Sequence, residues 1–246
     1  MATQTVPEIV LYDLACTKGI CFSPVVWRIR LMLNYKRIPY KTVFVEFPDI
    51  QSVLKELGIE PNESASGHIK YTVPAIHHVP TNIYMMDSVP IAEFLELTYP
   101  DPPLKLTSEL GREIETKARA VAGPAMRLSV TPREMNILSP RSQEYFRRTR
   151  EATLGRRLED MLDPDEEEKL WDITESNMPA VSELLHTHEA EGPFVLGSQP
   201  SMADFLIAGS LQSTRVIDEG VFQRISKFPG YKKIYEACLP YMEKKD

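Results

Sequence analysis

Residues 71–76 read YTVPAI, and the place of proline in this stretch decides the fold. Tyr71, Thr72, Val73 and Ile76 favour a pleated strand, whereas Pro74 has no N–H to give to a ladder. An edge strand or a turn accounts for such a proline. A sharper reading is a cis proline that leaves the preceding backbone open to a ligand, and the flanking chain separates the two.

Upstream of this stretch, EIVLYDL (8–14) reads as a strand, SPVVWRIRLMLNYK (23–36) as an amphipathic helix, and YKTVFVEF (40–47) as a second strand with apolar residues at period two. A short helix, SVLKELGI (52–59), ends at Gly58, and the polar loop EPNESASGH (60–68) leads into KYTVPAI. Downstream, HVPTN (78–82) supplies turn residues before a strand at IYMMD (83–87), which makes the last two strands an antiparallel pair. SVPIAEFLELTY (88–99) then reads as a helix with Ser88 as N-cap and Pro90 in its first turn. The predicted order is β-α-β-α-β-β-α.

The proline cluster in YPDPPLKLTSELGRE (99–113) predicts a linker ending near Leu110, with one domain over residues 1–104 and another over 111–246. Helical periodicity fills the second domain, in stretches 112–130, 142–162, 168–190, 201–217 and 230–242. DPDEEEKL (163–170) reads as an acidic helix start, which the helix dipole favours. The fold class is an α/β domain followed by an all-α domain.

Charge narrows the function. Asp and Glu total 35 against 28 Lys and Arg, and no basic block is interleaved with aromatics, which argues against nucleic acid and against anionic membranes. No stretch has the ~18 consecutive apolar residues of a membrane span, and the first ten residues lack the charged and apolar regions of a secretory signal. The three cysteines, Cys16, Cys21 and Cys238, form neither a CxxC nor a disulfide framework. His77 and His78 lack a third ligand at metal spacing, and no metal site is read; His68, His186 and His188 read as surface residues. A cytoplasmic protein with reduced thiols is expected.

Three short motifs carry chemistry. Ser23 stands at the mouth of the first helix with Pro24 at the first helical position, so that the free donors of the helix start face whatever binds there. Taken alone, Ser23 is an N-cap, and Asp87-Ser88 is another. Their order is more informative: a helix-start serine after the first strand, Val-Pro before the third, and Asp-Ser opening the third helix.

With these motifs the sequence resembles the cytosolic glutathione transferases over essentially its whole length. The resemblance implies a thioredoxin-like first domain. It also implies that Val73-Pro74 is the cis-proline element whose valine backbone pairs with the cysteinyl part of glutathione, and that Asp87 and Ser88 hold the γ-glutamyl end. GSQPSMADFLIAGSLQ (197–212) is similar to the capping motif of the family's helical domain, with Ser201 and Asp204 at the S-x-x-D spacing. YDLA (12–15), FSPVVWRIRLMLNYKRIPYKTVFVEFPDI (22–50) and YTVPAI (71–76) are most similar to fungal etherase-like members, and SPVVWRIRLML (23–33) is more loosely similar to the omega class, which keeps a catalytic cysteine where Ser23 stands.

A serine-type enzyme follows from this likeness, with Cys21 as the competing residue. Ser23 would donate to the thiol of glutathione, whose ordinary pKa of about 8.5 leaves little thiolate at neutral pH. Lys70 is taken as a glutathione-binding residue, and Arg28, Arg30, Lys41 and His68 could equally reach a glutathione carboxylate, an order the sequence leaves open. Met126, Arg127 and Met135 suggest an adaptable wall for a small hydrophobic acceptor. The resemblance implies a homodimer and conjugation of a hydrophobic electrophile such as an aromatic ether or secondary metabolite. A glutathione-dependent cis/trans isomerase and a non-catalytic ligand-binding protein are the alternatives.

Overall fold

The computed structural model describes residues 6–62 and 70–244. The first domain contains β1 (Ile9–Leu14), α1 (Pro24–Tyr35), β2 (Tyr40–Val45), α2 (Ile50–Glu56), β3 (Ala75–His78), β4 (Ile83–Met86) and α3 (Ser88–Thr98), in the predicted order. The sheet runs β2-β1-β3-β4, with β1 parallel to β2 and both the β1–β3 and β3–β4 pairs antiparallel. β1 is central and wholly buried, which is why its sequence, IVLYDL, is almost continuously apolar instead of alternating.

Asp13 is the exception within β1. Its carboxylate meets the Arg30 guanidinium of α1 at 3.0 Å, both side chains being fully buried, and accepts from its neighbour Leu14 N at 2.7 Å. Arg30 also donates to Thr42 Oγ1 at 3.0 Å and to the Tyr40 hydroxyl at 3.3 Å, so that the buried charges are extensively hydrogen-bonded.

The helical part comprises α4 (Glu109–Glu134), α5 (Pro140–Leu154), α6 (Pro164–Asn177), α7 (Pro179–Leu185), α8 (Met202–Ile217), α9 (Glu219–Ser226) and α10 (Tyr231–Cys238). Several predicted boundaries shift for local reasons. α4 continues to Glu134 through Pro124 and Pro132. Gly155, at φ 68°, ends α5 in a left-handed cap, and Pro179 separates α6 from α7. α9, which lies between the predicted helices, begins where the Asp218 carboxylate caps Val221 N at 2.9 Å. The acidic start of α6 is as expected, with Asp163 capping Asp165 N at 2.9 Å.

α8 locks the two parts together by packing along α1. Gly209 makes that approach possible: a Cβ there would lie 3.0 Å from Trp27 Cβ and 3.3 Å from Pro24 O. The start of α8 is fixed by Asp204, whose carboxylate accepts from Ser201 N at 2.8 Å, from Ser201 Oγ at 2.6 Å and from Val195 N at 2.7 Å. Trp27, fully buried beneath α8, donates from Nε1 to the Cys21 carbonyl at 3.1 Å and so holds the loop before α1.

Candidate active site

Ser23 caps α1 with extended backbone, φ −69° and ψ 123°, and its oxygen accepts weakly from Val26 N at 3.4 Å. It is 5% exposed. Among the described residues its Oγ is engaged as an acceptor only, which leaves its O–H as a donor. Cys21 is fully buried instead, and burial together with the Asp13 carboxylate pushes its thiol well above the ordinary cysteine range. Cys16 lies in the same loop, and its thiol donates to Ile20 O at 3.1 Å.

The Val73–Pro74 peptide bond is cis, as is Asp101–Pro102. β3 starts only at Ala75, so the predicted strand over 70–76 contracts to its last two residues and continues to His78. Pro74 O accepts from Asp87 N at 3.1 Å, which brings the Val-Pro element beside the start of α3. The N–H and C=O of Val73 make no backbone hydrogen bond among the described residues.

At α3 the cap differs from expectation. Asp87, with φ 74°, is the N-cap, and Ser88 is the first helical residue. The Asp87 side chain caps nothing in the helix; its carboxylate accepts from Asn62 Nδ2 at 2.8 Å and from Thr72 Oγ1 at 3.0 Å. The cap shifted by one residue because the positive φ at Asp87 turns the chain before Ser88 enters the helix. Asn62 N also donates to Lys70 O at 2.9 Å, closing the base of the loop whose residues 63–69, His68 among them, lie outside the described residues.

A cavity of about 670 Å³ opens beside Val73. Leu14, Phe47, Ile50, Lys55, Lys70, Tyr71 and Thr72 line it from the first domain, and Tyr145 and Arg150 of α5 from the helical part. Ser23 does not itself line this cavity; its neighbour Phe22 packs toward it, ring centroid 6.5 Å from that of Phe47.

Of the candidate cations, Lys70 lines the cavity. Arg30 is excluded by its burial against Asp13, and Lys41 is exposed on edge strand β2. Arg28 lines a smaller cleft of about 170 Å³ with Ser88 and Glu115. The wall expected from Met126 and Arg127 is elsewhere, since Met126 faces a separate cavity between α4 and α8 and Arg127 is exposed. Met135 does pack against the cluster containing Leu14 and Phe47.

Lys55, Tyr145 and Arg150 were not singled out from sequence. Arg150 is one of four arginines on α5, and nothing in their spacing marks the one that turns toward the cavity. Among the described residues no three His, Cys, Asp or Glu side chains converge as a metal site, and no helix is long and apolar enough to cross a membrane.

A four-stranded mixed sheet carrying a Val-Pro element, an Asp-Ser helix start and a capped helical domain defines a glutathione transferase architecture. Residues 22–98 match the glutathione S-transferase N-terminal domain and residues 114–239 the C-terminal domain of that family. The chain belongs to the glutathione S-transferase family. It is 31% identical over 238 residues to the glutathione S-transferase-like protein ustS of Aspergillus flavus, covering 90% of this chain and 85% of that protein. Among solved structures, a glutathione S-transferase of Ceriporiopsis subvermispora in complex with glutathione superposes with TM-score 0.85 at 30% identity, over 97% of this chain and 99% of that one. The transferase GSTFuA2 of Phanerochaete chrysosporium superposes with TM-score 0.84 at 31% identity, over 98% and 100% of the two chains.

Proposed function

We propose that this glutathione S-transferase takes glutathione as cosubstrate in the cavity beside Val73 and joins its sulfur to a hydrophobic electrophile. The observation that carries this reading is the Val73 backbone, which has no backbone hydrogen bond among the described residues, at the edge of a cavity lined by Lys55 and Lys70. Unpaired backbone groups that are half-buried call for a partner, and an extended peptide pairing like an added strand supplies one.

In this reading Asp87 and Ser88, steadied by Thr72 and Asn62, receive the γ-glutamyl end, and Lys55 and Lys70 attract the far carboxylate. The cosubstrate supplies the thiol nucleophile. Ser23 keeps its O–H free to donate to a sulfur anion, which favours the charged form over the neutral one. Cys21 takes no part, being buried and held protonated. The glutathione-binding unit spans residues 1–104 and the helical unit 111–246, and the working molecule is a homodimer.

Calorimetric titration with glutathione, followed by assay with an aryl halide, tests the reading. Saturable binding and glutathione-dependent product are expected, and an absence of binding overturns it. Light scattering at micromolar concentration should give twice the 28.0 kDa chain mass; the monomer mass would refute the dimer.

A further inference from the structure

The cavity beside Val73 carries cations on both of its walls. Lys55, Lys70 and Arg150 line it, and no Asp or Glu does among the described residues. Glutathione at neutral pH carries two carboxylates and one ammonium. In the proposed pose the ammonium goes to Asp87 and the far carboxylate to Lys55 and Lys70, all on the first domain. Arg150 stands on the opposite wall, on α5, with Tyr145.

Arg150 also differs from the other arginines of its helix. Arg141 pairs with Asp49, and Arg147 pairs with Glu151 at 3.0 Å and Glu159 at 2.6 Å. Arg148 is exposed to solvent. Arg150 is half-buried, lies with its guanidinium 4.8 Å from the Phe146 ring centroid, and makes no hydrogen bond or ion pair among the described residues. Its charge acts on Glu134 at the end of α4, yet burial still raises that carboxyl to about 7, so Glu134 is an incomplete counterion at neutral pH. A half-buried guanidinium facing only an incompletely ionised acid leaves its charge under-compensated, and its planar fork suits a carboxylate.

We infer that the acceptor substrate is an organic anion, an aromatic or conjugated electrophile bearing a carboxylate that Arg150 receives on the helical side of the cavity. Phe47, Tyr71 and Tyr145 supply aromatic surface for the body of such a molecule. The cavity falls within the roughly 300–1,000 Å³ typical of small-molecule sites. The inference rests on glutathione occupying the Val73 side.

The test compares two product analogues, S-(4-carboxybenzyl)glutathione and S-benzylglutathione, by calorimetry, with glutathione alone as a third titrant. Wild type should bind the carboxylate analogue about tenfold more tightly, as expected for one charge-assisted contact. Arg150→Met should bring the ratio of the two affinities near one, and Arg150→Lys should restore part of it; circular dichroism melts of both variants verify folding. A ratio near one in wild type overturns the inference, as does a preference that survives in Arg150→Met. A fall in affinity for glutathione itself in Arg150→Met would also overturn it, by assigning the arginine to the cosubstrate. Failure of all three titrants to bind wild type sinks the glutathione reading as a whole, and is thereby distinct from loss of the acceptor preference alone.

Discussion

Thr72 Oγ1 donates to the Asp87 carboxylate at 3.0 Å, tying the residue before Val73-Pro74 to the residue that turns the chain into α3. Asn62 Nδ2 donates to the other carboxylate oxygen at 2.8 Å, so Asp87 is oriented from two sides. Thr72→Val keeps the β-branched shape and removes one donor. A hydrogen bond to a charged group contributes about 1.5–3 kcal/mol, so glutathione affinity should fall roughly tenfold or more. The ionisation of bound thiol, read from thiolate absorbance, should stay as in wild type. Unchanged affinity would remove Asp87 from the γ-glutamyl site.

Ser23 and Cys21 make opposite predictions. Ser23→Ala removes the donor proposed for the sulfur, and turnover at neutral pH should drop about ten- to a hundredfold with a raised apparent pKa of bound glutathione. Cys21→Ala should leave activity per folded molecule near wild type, because the thiol is buried and held neutral. A mixed disulfide on Cys21 with an inactive Cys21→Ala would reverse the assignment.

The Asp13–Arg30 pair is a structural element beneath the loop that carries Ser23. Asp13→Asn leaves the fully buried Arg30 without its countercharge, and breaking such a pair costs about 3–5 kcal/mol. Removing both charges with Asp13→Leu and Arg30→Met should recover a large part of that loss. Denaturant melts of the single and double variants make the comparison, and a double variant no more stable than the single one would count against an electrostatic origin.

Glu134 gives a pH signature. Its folded pKa is raised to about 7 by burial, above its unfolded value, so the folded state binds more protons than the unfolded one between these values. Stability from this group is therefore fully present below the unfolded pKa and is lost as pH rises through about 7. Glu134→Gln should change the melting temperature little at low pH and raise it relative to wild type above neutrality. Parallel melting curves for the two proteins across this window would show that the carboxyl titrates normally.

The order of elements, the capping pair Ser201 and Asp204 and the place of Val73-Pro74 were legible in the sequence because each depends on local chemistry: periodicity, cap spacing and the missing N–H of proline. Family membership followed from those motifs read together. The sequence could not show that Asp87 rather than Ser88 caps α3, because that turns on a positive φ imposed where Asp87 N meets Pro74 O. Nor could it rank the cations. Arg30 and Arg150 are equally basic in sequence, yet packing sends one under the sheet to Asp13 and the other to the cavity wall. Local rules set which residues form helices and strands, whereas the burial and partners of a charge are decided by what distant segments bring against it, and those long-range contacts exist only in the folded chain.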